Sequence, residues 1–123
     1  MMTGKNYIGN KQSAQGSKTY KTFNPQLNIE NDTLFTEATP QEIDEAVHVA
    51  SEAFKTFRMV SGEKKALFLN AIADEMLALD DELIKTYCME SGLPEGRAIG
   101  ERGRTIFQLR SFAELVKEGS WVE

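Results

Sequence analysis

Three glycines inside the longest helical pattern of the chain constrain its fold more than any other feature. From Leu93 to Trp121 the sequence reads LPEGRAIGERGRTIFQLRSFAELVKEGSW. Within it Ile106, Leu109, Phe112, Ala113 and Val116 recur at three- and four-residue spacing, a stripe that has to be buried against something. Pro94 suits a first-turn position, where its missing N–H costs nothing. Gly119 suits the left-handed residue just past the end, and Lys117 stands near the last carbonyls. The spacing therefore predicts a helix from about Pro94 to Glu118. Inside it, Gly96, Gly100 and Gly103 each cost about 1 kcal/mol relative to alanine. Close approach of another backbone or of a ligand is the usual compensation. Gly100 and Gly103 continue the side carrying Ile106 and Phe107, which predicts that the bare backbone and the apolar stripe meet the same neighbour.

The remaining elements are set by local signals. Tyr7-Ile8 is a short extended piece ending at the turn residues Gly9-Asn10. Thr19 to Phe23 is rich in β-branched and aromatic residues and stops at Asn24-Pro25. These predict two strands in a hairpin, with a further short strand from Leu27–Ile29 and Leu34–Thr36. Such a hairpin needs a sheet or helix beside it. Thr39-Pro40-Gln41-Glu42 then combines a capping hydroxyl, a first-turn proline and a glutamate in capping-box register, so a helix starts there. Its expected buried face is Ile43, Ala46, Val47, Ala50, Phe54 and Phe57, and it should end near Met59. Ser61 caps a second helix whose stripe is Ala66, Leu69, Ile72, Ala73 and Met76, widened by Phe68 and Leu79. Asp80 is positioned to cap a third segment carrying Leu83, Ile84 and Tyr87 and closed by Gly92; its continuity with the second stays open. The predicted chain is mostly α, with three to four amphipathic helices (residues 39–123) after a short N-terminal β arm (1–38).

Bulk properties exclude several classes. The chain has 123 residues, 41% apolar and 27% charged, values of a single globular domain rather than a disordered chain. Residues 1–29 carry four lysines and no acid, while the whole chain has a net charge of −5. Without arginine clusters or interleaved aromatics, this basic arm does not read as a nucleic-acid surface. No apolar run approaches the ~18 residues of a membrane span, and Met1 to Gln15 lacks the apolar core of a secretion signal. A single cysteine, Cys88, excludes an intramolecular disulfide and fits a reducing compartment. A cytoplasmic location is the expectation.

The search for chemistry is largely negative. Cys88 follows Ile84 and Tyr87 as a small packing residue, with no adjacent base to make it reactive. His48 with Asp44 and Glu52 at four-residue steps reads as a charged helix face rather than a metal site, and one histidine with one cysteine makes no zinc site. Asp74, Glu75, Asp80, Asp81 and Glu82 read as solvated or capping acids. Gly96, Gly100 and Gly103 follow no strand and lack the spacing of a phosphate-binding loop. Arg97, Arg102, Arg104 and Arg110 remain. Arg104, next to Gly103, is placed either to hold an anionic ligand bidentately or to pair with one of the many acids. Residue by residue, the chain contains no catalytic, cofactor-binding or metal-binding set.

The order of pieces resembles the opening of the aldehyde dehydrogenase superfamily. The likeness starts at Tyr7-Ile8-Gly9-Asn10 and continues through Thr22-Phe23-Asn24-Pro25 and Ala38-Thr39-Pro40-Gln41-Glu42-Ile43-Asp44-Glu45-Ala46-Val47. It extends over Ala53-Phe54-Lys55-Thr56-Phe57-Arg58, Leu69-Asn70-Ala71-Ile72-Ala73-Asp74-Glu75 and Glu90-Ser91-Gly92-Leu93-Pro94. Gly103-Arg104-Thr105, Gln108-Leu109-Arg110-Ser111-Phe112-Ala113 and Gly119-Ser120-Trp121 resemble the branch that oxidises 2-oxoglutarate semialdehyde (2,5-dioxovalerate). One departure is Lys11-Gln12 near the place where that family often has a tryptophan.

The resemblance implies a parent enzyme several times this length, with a Rossmann-type NAD or NADP domain, a catalytic domain and an oligomerisation arm. The parent would oxidise an aldehyde through a cysteine thiohemiacetal, hydride transfer and thioester hydrolysis. The residues for those steps would lie beyond Glu123, and Cys88 does not match the nucleophile motif. This chain would then be an N-terminal portion, inactive alone and binding no cofactor itself, with the rest of the dehydrogenase as its partner. The resemblance also places the glycine-bearing helix beside the substrate tunnel, making Gly100, Gly103, Arg104 and Gln108 candidates to border it, with Arg104 facing the distal carboxylate. The contrasting expectation is a self-contained helical interaction domain or regulatory partner. An incomplete enzyme would leave parts of the Ile99–Val116 face and of the Tyr20–Phe23 strand uncovered and would self-associate through them.

Overall fold

The structure, a computed structural model, describes residues 2–121. Two antiparallel strand pairs are followed by four helices. The chain forms two compact units that divide between Met59 and Val60.

In the first unit, β1 (Asn6–Ile8) pairs with β2 (Lys11–Ser13), Tyr7 lying opposite Gln12. The turn between them is Gly9-Asn10, with φ of 54° and 65°. Two consecutive left-handed residues match the twist of a tight hairpin, and glycine and asparagine tolerate that conformation best. β3 (Thr19–Asn24) pairs with β4 (Ile29–Thr36), with a register shift between Lys21 and Phe23. The single hairpin expected between Tyr7-Ile8 and Thr19–Phe23 is thus replaced by two, because each strand meets its own turn before it can reach the other. The second turn is organised by buried Asn24, whose Oδ1 accepts from the backbone N–H groups of Gln26 and Leu27 at 3.0 and 3.1 Å. Leu27 therefore belongs to the turn, and the two pieces expected around Leu27–Ile29 and Leu34–Thr36 become one strand starting at Ile29.

Helix α1 (Pro40–Phe57) has the full capping box, Thr39 and Glu42 each accepting from the other's backbone N–H. Its buried face meets the expected one only at Ala46. Glu42 is buried and Ala46 and Val49 are half-buried, and α1 lies against β1 on this side. A side chain on Gly9 would come within 3.3 Å of Val49 Cγ1. Ile43, Val47, Phe54 and Phe57 are 43–66% exposed. The apolar periodicity identified a face that favours burial, but the burying layer is not part of this unit.

In the second unit, α2 (Gly62–Ala78) and α3 (Asp80–Ser91) are separate helices, interrupted at Leu79 and Asp80, where Asp80 takes φ 40°. Asp80 does not cap α3 as expected: Leu79 holds the cap position without a side-chain hydrogen bond. Arg102 of α4 (Glu95–Glu118) instead donates to the Asp80 carbonyl at 3.2 Å. Gly92 closes α3 and Gly119 closes α4, both left-handed, at φ 71° and 80°. Pro94 is the cap rather than the first helical residue.

The main helix pair is α2 with α4. Its buried residues are alanines but for Ile106: Ala66 and Ala73 from α2, Ala98, Ile106 and Ala113 from α4, with Ala73 and Ala113 at 0% exposure. Small side chains let two helix axes come close. The backbones approach closely at Gly62, where an added Cβ would lie 2.2 Å from the Val116 carbonyl oxygen. The expected stripes on α2 and α4 are buried or half-buried at Leu69, Ile72, Met76, Leu109 and Val116. Phe68, Leu79 and Phe112 are the exceptions, about half exposed. No helix among the described residues is long and apolar enough to cross a membrane.

Candidate functional site

The glycine row lies on the open side of α4. A Cβ added at Gly96, Gly100 or Gly103 would meet nothing within 4 Å. The expectation that Gly100 and Gly103 share a neighbour with the apolar stripe is therefore corrected. At about 100° per residue, Ala98, Ile106 and Ala113 cluster towards α2, while Gly96, Gly100, Gly103 and Phe107 form a separate row further round the helix. Extending the stripe through Phe107 misread that angle. Phe107 is 71% exposed and Ile99, beside the row, 47%.

Gly100, Arg104 and Gln108 follow one another at four-residue steps and so share a face; all three are exposed. The four arginines singled out by sequence divide clearly. Arg97 Nη2 lies 2.6 Å from Glu101 Oε1. Arg110 reaches Asp74 at 3.0 Å, across to α2. Arg102 turns inward to Asp80. Arg104 has the loosest engagement, 3.9 Å from Glu101 Oε2 with most of its side chain in solvent. The structure thus brings together a bare strip of backbone, a guanidinium and an amide. Such a surface can line up an elongated ligand and hold a terminal carboxylate, but it contains no nucleophile and no base.

An open groove, ≈ 420 Å³ and mostly apolar, is lined by Phe68, Ala71, Ile72, Glu75 and Met76 of α2 and by Leu79 just past its end. Cys88 is a half-buried free thiol on α3, and His48 is exposed on α1. Among the described residues no group of three or more histidines, cysteines or carboxylates is placed to hold a metal ion.

Sequence reasoning found Glu42 as a capping residue but missed its second task. Its Oε2 accepts from Thr39 N at 2.8 Å and Thr39 Oγ1 at 3.1 Å. Its Oε1 accepts from the Ser13 hydroxyl and, at 3.2 Å, from Gln15 N. The Ser13 hydrogen bond, followed by the Thr39 and Gln15 bonds, holds its carboxyl down at about 2, outweighing the opposing effect of burial. No pattern in the sequence links Ser13 to Glu42, because their pairing depends on where β2 is placed. The close approach at Gly62 was equally illegible, since an N-terminal helix glycine looks like a loop remnant until the partner helix is known.

Comparison with known proteins gives this geometry a family. Residues 11–121 match the aldehyde dehydrogenase family. The chain is 38% identical over 122 residues to alpha-ketoglutaric semialdehyde dehydrogenase 2 of Azospirillum brasilense, covering 98% of this chain and 23% of that protein. It is 34% identical over 118 residues to alpha-ketoglutaric semialdehyde dehydrogenase of Acinetobacter baylyi, covering 96% and 22% respectively. The chain therefore spans less than a quarter of the length of these relatives. Its fold superposes on an NAD-dependent benzaldehyde dehydrogenase from Corynebacterium glutamicum with a TM-score of 0.85 at 15% identity, over 94% of this chain and 25% of that one. Sequence match and fold agree that the chain belongs to the aldehyde dehydrogenase family.

Proposed function

We propose that this chain is the N-terminal portion of an NAD(P)-dependent dehydrogenase that oxidises 2-oxoglutarate semialdehyde to the carboxylate. The observation that carries this reading is its similarity, over nearly its whole length, to two relatives named for that aldehyde. The proposed parent consists of the extended arm of residues 1–38, the helical segment 39–123 and a much longer remainder holding the catalytic chemistry. The described residues do not fit a dinucleotide: both strand pairs are antiparallel, and the glycines sit inside α4 rather than in a turn between a strand and a helix. NAD or NADP would accordingly be held by the remainder, and this portion alone would be inactive.

Within that parent, Gly100, Gly103, Arg104 and Gln108 border the aldehyde channel. Glycines leave room for the substrate chain, and the Arg104 guanidinium receives the carboxylate at the end away from the aldehyde. The uncovered apolar residues, among them Ile99, Phe107, Tyr20 and Phe23, are covered by the remainder of the enzyme or by other subunits of a homo-oligomer. The chain without them self-associates. The test is Arg104→Ala in the full-length enzyme carrying this chain. Loss of a charge-assisted contact raises KM for the oxo-acid semialdehyde at least about tenfold, with neutral aldehydes unaffected. Equal effects on both substrates would remove Arg104 from the site.

A further inference from the structure

We infer that the Glu42 carboxylate is a two-sided latch, coupling the docking of the β1–β2 hairpin to the first turn of α1 so that loosening either side loosens the other. The inference concerns the first unit alone and is independent of the aldehyde substrate.

The geometry is specific. Each Glu42 oxygen receives one hydroxyl and one backbone N–H: Ser13 Oγ and Gln15 N on Oε1, Thr39 Oγ1 and Thr39 N on Oε2. Thr39 Oγ1 in turn accepts from Glu42 N at 3.2 Å. All four donors converge on one group that is 1% exposed. The two oxygens share a single rigid plane, so a rotation that relaxes one pair of bonds misaligns the other pair. An amide cannot replace the carboxylate. Whichever way a glutamine is turned, its nitrogen would face a backbone N–H, Gln15 on one side or Thr39 on the other.

What the latch holds is weak on its own. Strands of three residues are marginal on their own. Near the latch Ile8 is buried, and a Cβ added at Gly9 would lie 3.3 Å from Val49 Cγ1. Backbone ties flank the latch: Thr36 N to the Gly4 carbonyl at 2.9 Å, Asn6 Nδ2, opposite Ser13, to the Thr36 carbonyl at 3.3 Å, and Glu37 N to the Lys18 carbonyl at 2.9 Å. Opening the latch thus loosens Ser13 and Gln15 between these ties while β3–β4 stays paired.

Amide hydrogen exchange, measured residue by residue on this chain, tests the coupling. Ser13→Ala alters only the arm side, yet exchange should become about tenfold faster at the Glu42 and Ile43 amides of the first helical turn as well. Thr39→Ala alters only the helix side and should speed exchange at Gln15 and across β1–β2 by a similar factor. The pair together should give less than the product of the single effects. Glu42→Gln supplies an independent reading and should accelerate both sides at once. Acceleration confined to the side of each substitution, multiplying in the pair, would overturn the latch, as would one-sided acceleration in Glu42→Gln.

Discussion

The two units hold themselves together by opposite means. In the first, a helix is joined to a short hairpin by a buried carboxylate that satisfies four donors. In the second, α2 and α4 meet along alanines, with Gly62 nearly touching the backbone at Val116. A polar clasp depends on charge and geometry, whereas a small-residue seam depends on volume. Within the second unit the same contrast recurs among glycines. Gly62 leaves no room for a methyl group, while Gly100 and Gly103 leave room for anything. The lesson is that a glycine in a helix has no meaning until its surroundings are known.

Acid should separate the two units most. The Glu42 carboxyl is lowered from 4.5 to about 2 in the folded unit, so its contribution is complete above 4.5 and disappears as pH falls through about 2. Amides of β1–β2 and the first turn of α1 should lose protection across that window, and Glu42→Gln should remove the step. The α2–α4 seam, built from alanines and Ile106, should not share it.

Volume changes come next and should act with opposite signs. Gly62→Ala forces backbone apart and should destabilise the second unit by about 1–3 kcal/mol, read from chemical denaturation. Gly100→Ala and Gly103→Ala meet empty space and should each stabilise it by up to about 1 kcal/mol through helix propensity. If all three substitutions act in the same direction, the distinction between close-approach and open glycines fails. The smallest effect is expected at the surface: Arg110→Ala breaks an exposed ion pair to Asp74 and should cost less than about 1 kcal/mol, diminishing further in salt.

Much of the framework was legible from the residues. The capping box at Thr39 and Glu42, the glycine stops at Gly92 and Gly119, and the stripes through Ala66 and Ala73 on α2 and through Ile106 and Ala113 on α4 are local or periodic signals, and local physics determines them. Two features were not legible for a common reason. The outward turn of the Ile43–Phe57 stripe on α1 and the close approach at Gly62 depend on what lies opposite, which no pattern within one helix encodes. The hairpins were misassigned because strand pairing is a choice between turns, and Gly9-Asn10 and Asn24-Pro25 were each read as an end rather than as a hairpin of its own. For the candidate site, it was the family resemblance that grouped Gly100, Gly103, Arg104 and Gln108. That they form an open face, away from α2, emerged only with the fold.

The central claim is that α4 keeps this face bare for a substrate channel in a larger enzyme. It is tested most directly by semialdehyde oxidation in the full-length enzyme with Gly100→Ala and Gly103→Ala combined. The account predicts that kcat/KM falls at least about tenfold although α4 itself becomes more stable; unchanged kcat/KM alongside that gain in stability would contradict it.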